Sequence, residues 1–166
     1  MQHEVVLAKP DDAMRLSELM VRLESQTSFM MYEAEEIPNV DMLKKRISVG
    51  SLSIQEVFLL AQDTYNLVGY TLVCCGSLSR NRGVGTLSIG VLQEVQSRGV
   101  GSALLCEAIT WAKSQKLYRL QLQVQTCNKR ALSLYLKFGF KIEGILHRCA
   151  FIKGKYVDKY QMALLL

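Results

Sequence analysis

Residues 88–112, SIGVLQEVQSRGVGSALLCEAITWA, decide the fold. A short apolar strand runs into Gln96-Ser97-Arg98-Gly99-Val100-Gly101, and a helix with an apolar stripe begins inside that loop. Glycine lets a backbone turn tightly and approach a ligand that a side chain would keep away. The first amides of a helix lack internal partners, and the helix dipole makes that end mildly positive. Strand, glycine turn and helix start therefore predict a pocket for an anion, a phosphate or a diphosphate. Arg98, inside the loop, can add a full charge to it.

Three phosphate-binding loops compete for this stretch. A P-loop needs Lys followed by Ser or Thr after its second glycine, and here Ser102-Ala103 follow Gly101. A dinucleotide fingerprint needs a third small residue where Leu104 stands, and an acid about 20 residues on, where the chain has Gln121 and Gln123. The pattern that fits is Gln-x-x-Gly-x-Gly, which resembles the acetyl-CoA loop of the GCN5-related N-acetyltransferases. A second segment, residues 128–140, NKRALSLYLKFGF, resembles that family's other signature, Asn-x-x-Ala-x-x-Leu-Tyr-x-x-x-Gly-Phe, with every fixed position present. It follows the first at about thirty residues, as in the family. Val91-Leu92-Gln93-Glu94 is similar to the strand end that precedes the loop in these enzymes. The likeness runs from about residue 55 to the C-terminus, and the N-terminal third is similar in element order only.

Working outward, residues 4–8 form a first strand, ended by Pro10. Asp11 or Asp12 can cap a helix that puts Ala13, Leu16, Met20 and Leu23 on one face. Residues 25–39 are irregular and carry Glu33, Glu35 and Glu36. A second helix starts at Asn39 or Asp41 and closes near Gly50. Residues 55–62 and 67–75 are strands joined by a turn at 63–66, and 84–91 is the strand feeding the glycine loop. The next helix places Val100, Leu104, Ala108, Trp111 and Ala112 on one stripe. Residues 118–125 alternate, with Leu120, Leu122 and Val124 on one side and Gln121, Gln123 and Gln125 on the other. A helix over 128–138 stops at Gly139, and 141–152 with 156–165 make a final hairpin. The order β-α-α-β-β-β-α-β-α-β-β predicts an α/β (α+β) mixed sheet with helices on its faces, in one domain over residues 1–166.

The bulk numbers agree with an ordinary globular domain. The chain has 166 residues, a formal charge of +5, five cysteines and two histidines. No CxxC and no histidine pair at metal-ligand spacing occur, so neither a zinc site nor a disulfide framework is expected. Cys74, Cys75 and Cys106 lie in apolar stretches and are expected in the core. No apolar run is long enough for a membrane span, the start MQHEVV is no signal peptide, and a cytoplasmic home is expected. The basic residues are scattered, so neither nucleic acid nor membrane is an expected partner.

The resemblance implies a fold with a splay between the fourth and fifth strands, in which the pantetheine arm of acetyl-CoA lies as an added strand. Carried over by motif position, the backbone at Ile89, Gly90 and Val91 holds the arm. The loop Gln96, Ser97, Arg98, Gly99, Val100, Gly101 and Ser102 holds the phosphates, and Asn128 contacts the arm, with the N-cap of its own helix as an equal alternative that does not exclude the contact. A main-chain amide near Val91 faces the thioester carbonyl. Tyr135 is implied as the general acid for the departing thiolate, against the plain alternative that it packs in the core. The glutamate that serves some relatives as general base is replaced by Gly85, so the base stays unassigned. Glu33 and Glu36, with Glu35, are the acceptor-side candidates, against the alternative of a solvated acidic surface. Asp158, in a Tyr-x-Asp-x-x-x-Met ending found in part of the family, is read as structural.

The implied reaction moves the acetyl group of acetyl-CoA to a primary amine in a ternary complex. A small cationic acceptor, a polyamine or an amino acid, suits the acids. A protein N-terminus, a lysine or an antibiotic are alternatives, as is a silent coenzyme A sensor. Many members of the family are homodimers, and no interface is legible here.

Overall fold

The computed structural model describes residues 3–30, 36–52, 55–64 and 66–166, the side chains of 51 and 52 excepted. Its elements follow the expected order: β1 (Glu4–Leu7), α1 (Ala13–Gln26), α2 (Val40–Leu52), β2 (Glu56–Gln62), β3 (Leu67–Cys75), β4 (Val84–Val91), α3 (Val100–Ser114), β5 (Arg119–Gln125), α4 (Lys129–Lys137), β6 (Lys141–Ile152) and β7 (Lys155–Leu165). The strands form one seven-stranded sheet in the order β1-β2-β3-β4-β5-β7-β6. Neighbours are antiparallel except β4 and β5, which run parallel.

The helices divide between the two faces, and strand alternation shows how. A Cβ built on Gly90 would meet Leu23 of α1, whereas one built on Gly69 would meet Leu104 of α3. Even-numbered positions of β4 therefore look toward α1, and odd ones toward α3. On α1 the buried stripe is Ala13, Leu16, Leu19, Met20 and Leu23. On α3 it is Val100, Leu104, Leu105, Ala108 and Ala112, with Trp111 half-buried. Both stripes have the three-and-four spacing that an amphipathic helix needs to cover a sheet.

Several expectations shift. The first strand stops at Leu7 rather than Ala8. Asp12 does not cap α1: its carboxylate accepts from the Lys9 amide at 2.9 Å, which fixes a 3-10 turn over Pro10–Asp12 instead. Asn39 does cap α2, accepting from the Met42 amide at 2.9 Å, but that helix runs through Gly50 to Leu52. Cys106 is exposed, since it falls outside the α3 stripe, so it is not core. Gln125 is buried although its strand neighbours on that face are polar and more open. Its amide donates to the Ser28 carbonyl at 2.8 Å, which removes the cost of leaving a polar group dry.

Asp158 is structural, as expected. Its carboxylate accepts from the Arg148 amide at 2.8 Å and meets His147 Nδ1 at 3.0 Å. Those contacts pin the bulge where β6 slips register against β7, between Leu146 and Ala150. The Arg148 amide, and then the His147 ring, hold the Asp158 carboxyl below the usual carboxylate range.

Candidate active site

β4 and β5 part soon after they meet. They pair at Val84, Gly85 and Thr86 with Arg119, Leu120 and Gln121, and above that register no pairing joins them. The direction of the freed backbone groups follows from their neighbours. The Val84 carbonyl accepts from Gly76, and the Leu92 amide donates to Val68, so even positions of β4 bond to β3. Odd positions past the paired register, Ile89 with both groups and Val91 with its amide, then face the gap, while the Val91 carbonyl accepts from Gln96 Nε2 at 2.9 Å. On the far wall, Arg119 donates toward Gly83 and Thr126 toward Asp158, so Gln123 and the Gln125 amide face the gap likewise, the Gln125 carbonyl accepting from the Asn128 amide at 2.9 Å. Two rows of main-chain donors and acceptors thus stand open, in the arrangement that accepts an extended amide chain as a strand.

The gap opens into a cavity of about 500 Å³, a size typical of small-molecule sites. Its walls include Ile89, Gly90, Val91, Gln96, Ser97, Gly99, Gly101, Ser102 and Asn128, nine of the cofactor positions expected from the motifs. Val100 and Arg98 do not line it: Val100 is buried on the core-facing stripe of α3, and the Arg98 side chain is exposed. Across the loop the backbone is left-handed at Ser97 (φ 63°) and at Gly99 (φ 86°). Such alternation turns successive amides inward as a concave anion seat, and a non-glycine residue held there marks stored strain. Gly99 is the N-cap of α3 and supplies no side-chain cap, so the first amides of that helix stay available.

The second helix start on the cavity behaves differently. Asn128 Oδ1 accepts from the Ala131 amide at 3.1 Å and caps α4, the role weighed beside a cofactor contact. Cys127, Lys129, Arg130, Ala131 and Leu134 add to this wall. Among the described residues, the charged side chains lining the cavity are Lys129 and Arg130, both cations, and they stand beside two helix N-termini.

The third wall had no sequence signal. Leu23, Thr27, Phe29 and Met30 bring the end of α1 and the following turn over the gap. Gly90 makes room for them, since a Cβ there would stand 2.8 Å from both the Leu23 and Met30 side chains. Gln26 fastens the turn: its carbonyl accepts from Gln93 Nε2 at 2.6 Å and its side chain accepts from the Gln93 amide at 2.9 Å.

Tyr135 lies on the buried face of α4, its ring 5.8 Å from that of Phe140, and it is not among the residues lining this cavity. Its neighbours Ala131 and Leu134 are. Burial pushes its phenol above the ordinary value, so the proton stays on the oxygen. No hydrogen bond to that hydroxyl occurs among the described residues. Gly85 explains the missing glutamate: a Cβ there would stand 2.9 Å from both Leu120 and Val73, in packed core. Of the acceptor-side acids, Glu36 is exposed and does not line the cavity, while Glu33 and Glu35 lie outside the described residues.

The sequence model of the acetyltransferase (GNAT) family matches residues 20–140. The chain belongs to this family of acetyl-CoA-dependent N-acetyltransferases. A GNAT acetyltransferase structure from Streptococcus pneumoniae is 34% identical, with a TM-score of 0.95 over 99% of this chain and 100% of that one. The L-amino acid N-acetyltransferase AaaT of Escherichia coli is 34% identical over 59% of this chain and 61% of its own length. The N-alpha-acetyltransferase RimI of Mycobacterium tuberculosis is 37% identical over 45% of this chain and 44% of its own. The matched regions thus span 61% of one of these two curated relatives and 44% of the other.

Proposed function

We propose that this protein moves the acetyl group of acetyl-CoA onto the α-amine of an amino acid or of a peptide N-terminus. The observation that carries the proposal is the splay: unpaired backbone at Ile89 and an unpaired Val91 amide opening onto an uncapped helix start. The pantetheine arm offers amides that pair with such a row, and its diphosphate suits the seat at Ser97–Gly99. The choice of an α-amine is supported by what the similar AaaT and RimI are named for. The wall of Leu23, Phe29 and Met30 adds an apolar surface, which favours an uncharged group beside that amine.

In this mechanism the Val91 amide, which faces the gap, donates to the carbonyl oxygen as it gains charge on attack. The amine must attack in its neutral form, and water carries its proton away, since Gly85 leaves no room for a carboxylate on that strand. Tyr135, packed beside Ala131 and Leu134 of the cavity wall, supplies the proton to the departing thiolate, and the phenolate takes a proton back from water before the next turnover. Collapse of the intermediate breaks the carbon–sulfur bond and forms the amide.

Thermal shift with coenzyme A, acetyl-CoA, ATP and NAD tests the cofactor, because a ligand of the folded state raises the melting temperature. Stabilisation by coenzyme A and acetyl-CoA alone is expected, and preference for ATP or NAD ends the proposal. A thiol-release screen over L-amino acids, short peptides and polyamines tests the acceptor. Turnover confined to polyamines would overturn the α-amine assignment.

A further inference from the structure

The side chain of Gln96 is engaged at both ends. Its Nε2 donates to the Val91 carbonyl at 2.9 Å, and its Oε1 accepts from Arg130 Nη1. The amide is therefore fixed in orientation, because turning it over would set donor against donor. It spans the mouth of the cavity, from the end of β4 to the first turn of α4. A guanidinium has five N–H donors in a rigid fork, and the bond to Gln96 uses one. No other hydrogen bond of Arg130 occurs among the described residues. Its anchor is the first residue of the glycine loop, directly before the left-handed Ser97 and Gly99. Arg98, the arginine within the loop, is exposed and outside the cavity wall.

We propose that Arg130, aimed by Gln96, is the guanidinium that grips the diphosphate of coenzyme A. Gln96 is then a positioning residue that acts through Arg130, and the loop amides and the guanidinium close on the anion from opposite sides. This rests on the acetyl-CoA assignment above and adds which cation reads which phosphate. An arginine placed by a neutral amide keeps its full charge for the ligand, whereas one placed by a carboxylate would be partly neutralised.

Titration of wild type, Arg130→Ala, Arg130→Lys, Gln96→Leu and the Gln96→Leu/Arg130→Ala double variant tests it, with three ligands. Coenzyme A carries the diphosphate and the 3′-phosphate, dephospho-CoA only the diphosphate, and pantetheine neither, its weak binding being read by NMR. Arg130→Ala is expected to weaken coenzyme A and dephospho-CoA equally, by about 10- to 100-fold, and to leave pantetheine unchanged. Arg130→Lys should recover part of the loss, since it restores charge without the fork. Gln96→Leu should cost a few-fold in wild type and nothing further when Arg130 is already alanine, the non-additivity of residues acting in series. A loss confined to coenzyme A would assign Arg130 to the 3′-phosphate and overturn the proposal. Equal loss with pantetheine would make it structural, and additive losses would detach Gln96. Wild type that fails to prefer coenzyme A over pantetheine would instead sink the acetyl-CoA assignment itself.

Discussion

Two helix starts face one cavity, and they are finished in opposite ways. At α4 the Asn128 side chain occupies the Ala131 amide, and the helix proceeds as an ordinary structural element. At α3 the N-cap is Gly99, without a side chain and left-handed, and no side chain of the described residues caps the first amides. A capped start is stable by itself, while an uncapped one leaves donors whose partner must come from solution. On the proposed function the difference divides the labour: the α3 start seats the anion with its amides, and α4 brings the side chains of Tyr135 and Arg130.

Exchanging a single atom on α4 should give the largest effect. Tyr135→Phe removes the proton donor, and turnover should fall by about 10²–10⁴-fold while coenzyme A affinity holds. Steady-state rates beside calorimetric titration separate the two, and unaltered turnover would leave α4 without its chemical role. Gly99→Val should do the reverse. A branched residue forced to φ 86° costs about 1–2 kcal/mol and covers the amides, so affinity should weaken by about 10-fold or more. Intact affinity would move the anion seat away from α3. Asn128→Ala should lower stability by about 1 kcal/mol, seen in urea unfolding, with a smaller change in affinity than Gly99→Val. Were affinity the property mainly lost, both helix starts would be binding sites.

Two smaller effects sharpen the contrast from outside the cavity. Asp158 has a lowered pKa, so its stabilising contribution is present above the unfolded value of about 3.9 and fades as pH falls through the folded one. The melting temperature of Asp158→Asn should therefore lie below wild type at neutral pH, with the gap closing in acid below about pH 4, and coenzyme A binding unchanged. Cys127 lines the cavity, while Cys106 and Cys149 are exposed elsewhere. Iodoacetamide should reach all three, with coenzyme A protecting Cys127 alone. Cys74 should resist, because burial, and then the nearby Glu56, push its thiol up to about 12.

What was legible in the sequence is local. The glycine loop, the alternation over residues 119–125 and the Asn128 start of α4 each lie within one turn or strand, where spacing alone fixes the geometry. The family motifs then joined the two helix starts. Three features escaped because they are made by residues far apart in the chain. The wall of Leu23, Phe29 and Met30 depends on a clamp between Gln26 and Gln93. Burial of Gln125 depends on Ser28, and the aim of Arg130 depends on Gln96. Periodicity is blind to such pairs. The expectation of a core Cys106 rests on its apolar stretch alone, and an apolar neighbourhood says little about which way a single helical position points.

The short register shared by β4 and β5 has a further consequence. Beyond Thr86 the molecule is two smaller sheets meeting at a hinge line, so whatever enters between them becomes a structural member of the fold. Amides on both strands should exchange with solvent more slowly once the insert is in place, and the folding equilibrium should track its concentration. The enzyme is then sturdiest when its acyl donor is plentiful and most open to proteolysis when that donor runs short.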